Sequence, residues 1–161
     1  MNIREAKEEI IRTVRAYTAK DDRGCGRIPS VRQRPVLLIG PPGIGKTAIM
    51  EQAAEECGVV LSFYQSNDCS SVVQTVLEAG AKGFGGIVFN PAAWVDTGAE
   101  IAGALKQSGL PIVEVHMSNI CKTADSHNVI APSVTGLVTG FGEQVYSVGL
   151  KMLAAHLRAD N

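Results

Sequence analysis

Apolar residues recur at steps of three and four through Ile3, Ala6, Ile10, Val14 and Tyr17, with Arg, Lys and Glu between them. That spacing predicts an amphipathic helix over residues 2–20. Residues 21–34 hold two glycines, a proline and many charges, and are expected to be a linker. From Pro35 the rhythm changes. Short runs rich in Val, Ile and Leu at 35–39, 59–64, 87–89, 112–115 and 137–139 alternate with helical patterns. One predicted helix spans 46–57, with Ile49, Met50, Ala53, Ala54 and Cys57 on one face and Gly58 as its stop. A second, with Ser70 read as its cap, carries Val72, Val73, Val76 and Leu77. A third spans 97–107 around Ile101, Ala104 and Leu105, and the last spans 144–158 around Val145, Val148, Met152, Leu153 and Leu157.

Runs that are apolar at successive positions belong to strands buried on both faces. Repeated strand–helix units imply a parallel sheet with right-handed crossovers. The predicted fold is therefore α/β: a flavodoxin-like three-layer sandwich with a five-stranded parallel sheet, plus an extra N-terminal helix. Residues 1–34 form the helix and linker, and 35–161 form one α/β domain. Ligands of such folds sit beyond the carboxyl ends of the strands. Those ends read GPPGIGKT, QSND, NPAAW, HMSN and GFGE, all polar or rich in glycine.

Composition narrows the function. The 161 residues are 45% hydrophobic and 19% charged, with a net charge of −1. No global charge draws the chain to nucleic acid or an anionic membrane. No apolar run approaches the ~20 residues of a spanning helix. The charged start, MNIREAKEEIIR, lacks the apolar core of a signal peptide, so a cytoplasmic location is expected. Cys25, Cys57, Cys69 and Cys121 form no C-x-x-C pair, and the histidines are His116, His127 and His156. Free thiols and no metal centre are expected.

Residues Gly40 to Thr47 match G-x-x-x-x-G-K-[ST] between a predicted strand and helix. In such a loop Gly40, Gly43 and Gly45 let backbone N–H groups converge on phosphate. Lys46 would reach the β and γ oxygens, and the Thr47 hydroxyl would hold Mg²⁺. The stretch RQRPVLLIGPPGIGKTAIMEQ, with the preceding helix, resembles the start of MoxR-type AAA+ ATPases. That resemblance implies ATP and Mg²⁺ as ligands. Hydrolysis is not expected, because no apolar strand ends in the Asp-Asp or Asp-Glu pair that holds Mg²⁺ and orients water.

From Val59 onward the chain resembles type II 3-dehydroquinate dehydratase. The stretches VLSFYQSN, GIVFNPAAW, LPIVEVHMSNI and APSVTGLVTGFGEQVY follow that family's order, each at a predicted strand end. The resemblance implies loss of water from 3-dehydroquinate through an enolate, without metal or cofactor. By motif, His116 corresponds to the general acid, Asn90 to the asparagine lining the substrate ring, and Glu114 to the acidic partner of the histidine. Strand periodicity separately puts residues 114 and 116 on one face. Met117 and Ser118 correspond to the backbone that holds the substrate carboxylate. Ala92 and Lys122 are further expected substrate contacts. The resemblance also implies a homo-oligomer, trimers grouped as dodecamers. Asp96 and Asp125 are candidates to complete a neighbouring subunit's site.

The departures fall at one end of that site. The family carries an asparagine, a lid arginine and a catalytic tyrosine after the first strand. Here no Tyr or Arg lies between Gly40 and Gly58. Tyr17, Tyr64 and Tyr146 are the only tyrosines. Asp68-Cys69-Ser70 stands where the family has His-Glu-Gly, and Cys121-Lys122-Thr123 where it has an arginine. Three readings follow: an impaired dehydratase, a phosphate- or nucleotide-binding module without hydrolysis, and a folded but catalytically silent chimera.

Overall fold

The computed structural model describes residues 36–40, 46–122 and 127–159, the side chains of 46–49 excepted. The predicted helix over 2–20, the linker, Gly43, Gly45 and Asp125 lie outside the described residues, as do the side chains of Lys46 and Thr47.

Five strands form one parallel sheet: β1 (Val36–Ile39), β2 (Leu61–Tyr64), β3 (Gly86–Phe89), β4 (Ile112–His116) and β5 (Gly136–Thr139), in the order β2-β1-β3-β4-β5. Among the described residues four α-helices cover it: α1 (Lys46–Cys57), α2 (Cys69–Ala79), α3 (Ala99–Ser108) and α4 (Gln144–Ala159). This is the expected α/β sandwich. β1, β3 and β4 are buried along their whole length; β1 and β3 carry no polar side chain, as burial on both faces requires, whereas β4 also buries Glu114 and His116.

Alternation along the strands sorts the core into two layers. Val36, Leu38, Val88, Val113 and Val115 face α1 and α4, against Met50, Ala53, Tyr146, Leu150 and Leu153. Leu37, Ile39, Ile87, Phe89 and Ile112 face α2 and α3, against Val72, Val76, Ile101 and Leu105. Gly149 permits the first layer to close. A Cβ there would lie 2.8 Å from Val115 Cγ1, so the glycine admits α4 onto β4.

Two helix starts differ from expectation. Asp68, not Ser70, caps α2: its carboxylate accepts from the Ser71 amide at 2.7 Å and the Ser71 hydroxyl at 2.6 Å. A carboxylate with extended backbone can receive the third helical amide, whereas Ser70 is already inside the first turn. α3 begins at Ala99 rather than Thr97. Residues Ala92–Trp94 form a 3₁₀ turn, and Gly98 packs so close to the Trp94 carbonyl that a Cβ would lie 2.7 Å from it. Gly58 ends α1 as expected, with φ 65°.

Candidate active site

Because every strand runs the same way, all five carboxyl ends open on one rim. Gly40, Asn90 and His116 stand at the ends of β1, β3 and β4, three adjacent strands. The Asn90 amide donates to the Ile39 carbonyl at 2.8 Å, tying two of these ends together. Gly40 in turn donates to the Tyr64 carbonyl at 3.2 Å.

Glu114 and His116 project from β4 toward the α2–α3 side, sharing the parity of Ile112. Glu114 is fully buried and His116 is 6% exposed. His116 Nε2 lies 2.5 Å from Glu114 Oε1. The same oxygen accepts from Asn128 Nδ2 at 2.8 Å. Glu114 Oε2 is buried and has no hydrogen-bond partner among the described residues. A carboxylate withdrawn from water is tolerated when it is paired and hydrogen-bonded, and here one oxygen carries both contacts.

Asn90 lies on the other side of the rim. One residue beyond Phe89, it shares the parity of Val88 and reaches into the α1–α4 layer. Its Nδ2 donates to the buried Tyr146 hydroxyl at 2.5 Å, and its Oδ1 accepts from the Ala92 amide at 3.0 Å. Burial pushes the Tyr146 phenol above its ordinary pKa, and the Asn90 amide opposes that rise. Ala92 takes φ 48°, a conformation that costs an L-residue energy, and the Asn90 contact helps hold it there. Asn90 and His116 thus share a rim but leave it from opposite faces of the sheet.

The turn after β4 is clamped by β5 and the turn that follows. The carbonyls of His116 and Met117 accept from the Gly140 and Gly142 amides, each at 3.0 Å. The Ser118 carbonyl accepts from Thr139 Oγ1 at 2.8 Å, and that hydroxyl accepts from the Ile120 amide at 3.2 Å. With three successive carbonyls engaged, amides are what this turn has to offer a ligand. Gly140, at φ 93°, sits where a Cβ would lie 2.9 Å from Asn119 Cβ. Lys122 closes a short exposed 3₁₀ turn, and Asp96 is exposed. Sequence reasoning missed Asn128 and Thr139. Neither stands in a catalytic motif, and only the folded contacts connect them to residues 114–120.

Tyr64 and Tyr146 belong to β2 and α4, packed in the core layers and not on a loop over the rim. Among the described residues no helix is long and apolar enough to cross a membrane.

The comparisons with known proteins agree with this architecture. The dehydroquinase class II family model matches residues 45–154. A 3-dehydroquinate dehydratase from Acaryochloris marina is 39% identical over 145 residues, covering 78% of this chain and 97% of its own length. One from Mesorhizobium japonicum is 40% identical over 126 residues, covering 72% and 87%. The crystal structure of type II dehydroquinase from Propionibacterium acnes is similar with a TM-score of 0.69 at 27% identity, covering 76% of this chain and 98% of that one. The range matched by the family model includes Asn90, Glu114 and His116, and with fold and sequence in agreement this chain belongs to the class II dehydroquinase family.

Proposed function

We propose that the rim is a 3-dehydroquinate dehydratase site whose proton-donating half is intact and whose proton-abstracting half is missing. The observation that carries this is the buried Glu114–His116 pair at the end of β4. In the reaction a base removes the C2 proton, an enolate forms, and the β-hydroxyl leaves with a proton supplied by His116, releasing water. His116 is the acid, and Glu114 orients it and balances the charge of the imidazolium. Asn90 borders the ring from the α1–α4 side of the rim, its side-chain amide held by Tyr146 and Ala92. The Met117–Ser118 amides receive the substrate carboxylate, with Ala92 and Lys122 at the margin. No metal or cofactor takes part in this reading.

The base side has no counterpart. The segment from Gly40 to Gly58 contains neither Tyr nor Arg. Loss of one general base costs roughly 10²- to 10⁴-fold in rate. Base, arginine partner and enolate asparagine act together, so their losses do not simply add. Substrate binding should therefore outlast turnover. The test is ultraviolet detection of the conjugated enone product, with calorimetric titration of a dehydroquinate analogue. Expected are measurable analogue binding and very slow turnover that His116→Ala abolishes. Turnover at the rate of an intact dehydratase would overturn the impairment. Analogue affinity weaker than millimolar would overturn the dehydratase reading and leave the silent chimera.

A second reading rests on the sequence motif Gly40 to Thr47. The motif begins just after β1 and ends in the first residues of α1, which starts at Lys46. In this reading the segment has the AAA+ ancestry its sequence suggests, and Gly40, Gly43, Gly45, Lys46 and Thr47 bind ATP–Mg²⁺ without hydrolysis. Titration with ATP–Mg²⁺ tests it, and a silent titration rejects it. For assembly, the family resemblance favours a trimer or dodecamer, which size-exclusion chromatography with light scattering would read directly.

A further inference from the structure

Asn128 joins the loop after the β4 turn to the buried end of the site. Its Oδ1 accepts from the Ile130 amide at 2.9 Å and the Ala131 amide at 3.0 Å. Two backbone donors converging on one end of a side-chain amide fix which end is oxygen. The other end is therefore NH₂, and it meets Glu114 Oε1 at 2.8 Å. The loop backbone thus dictates that Asn128 approaches Glu114 as a donor. Glu114 Oε1 in turn must accept from both Asn128 and His116 Nε2.

We propose that Asn128 is a positioning residue that holds Glu114 Oε1 against His116 and so keeps the neutral histidine in its Nε2–H tautomer. Which ring nitrogen exchanges a proton is set by the hydrogen bond made at the other. With Nε2–H committed to Glu114, the exchanging nitrogen is Nδ1. A Glu114 carboxylate released from Asn128 can rotate and exchange its oxygens, since Oε2 has no partner among the described residues to resist this. The tautomer would then lose its constraint. The consequence for catalysis rests on reading His116 as the acid; the tautomer itself does not.

Long-range ¹H–¹⁵N spectra of the full chain labelled at histidine nitrogen test the proposal without needing turnover. Wild type should show neutral His116 protonated at Nε2. Asn128→Ser keeps a shorter acceptor for the Ile130 and Ala131 amides and no longer reaches Glu114, and Asn128→Ala removes both contacts. Each variant should turn a single dominant tautomer into a mixed population, with the fold checked by thermal unfolding. Should Asn128→Ala fail to fold, Asn128→Ser decides the matter. An Nδ1–H tautomer in the wild type, or an unchanged Nε2–H tautomer in a folded variant, overturns the proposal. Wild type that has the expected tautomer yet binds no dehydroquinate analogue would overturn the dehydratase reading alone.

Discussion

At the scale of single residues, the site is governed by buried polar groups that each need a partner. Asn90 is 5% exposed and spends its amide on Tyr146 and Ala92. Tyr146→Phe removes one of those partners while keeping the ring. The variant should lose about 1–3 kcal/mol of stability in chemical denaturation, the usual cost of stranding a buried polar group. Glu114→Ala should cost a similar amount, about 1–3 kcal/mol, because it strands both His116 Nε2 and Asn128 Nδ2. It should also weaken residual turnover through the rate constant more than through KM, since it leaves the Met117–Ser118 turn intact. The motif EVHMSN with strand periodicity was enough to pair Glu114 with His116. Asn128 was not legible, because it lies fourteen residues away along the chain and meets Glu114 only in the folded protein.

At the scale of elements, helix starts and helix contacts give separable expectations. Burial plays little part at Asp68; the Ser71 hydroxyl and amide hold its carboxyl below the ordinary carboxylate value. A lowered folded pKa means the cap's contribution is present above the unfolded value of about 4 and is lost as pH falls through the folded value. Asp68→Asn, which caps without titrating, should flatten that acid-side loss in a pH series of melting temperatures. Gly149 tests the sheet contact of α4. Alanine is favoured over glycine in a helix, yet here its methyl would meet the stiff, buried Val115 at 2.8 Å. Overpacking should win, and Gly149→Ala should destabilise by about 1–3 kcal/mol. Strands and helices were legible from apolar runs and spacing. Their caps were less so, because Asp68 and Ser70 are both good capping residues and only backbone geometry chooses between them.

At the scale of the whole molecule, two apolar layers hold a single sheet. Leu153 joins α4 to the α1 side of the core and packs where Gly86 leaves room on β3. Leu153→Ala should cost about 2–5 kcal/mol in a single cooperative unfolding transition, with no separate loss of one layer. The Glu56–Lys151 ion pair between α1 and α4, 2.8 Å apart, is largely exposed, so Glu56→Gln should change stability by less than about 1 kcal/mol. By itself the sequence determined the α/β class, the parallel sheet and the rim of polar strand ends. These follow from local periodicity and from the chirality of βα units, which any segment carries within itself. Tertiary structure alone decided that Asn90 and His116 leave the rim from opposite faces of the sheet. It also decided that Thr139 clamps the Met117–Ile120 turn and that Asn128 reaches Glu114. Those facts depend on register between strands and on loop closure over distant residues, and no local pattern encodes either.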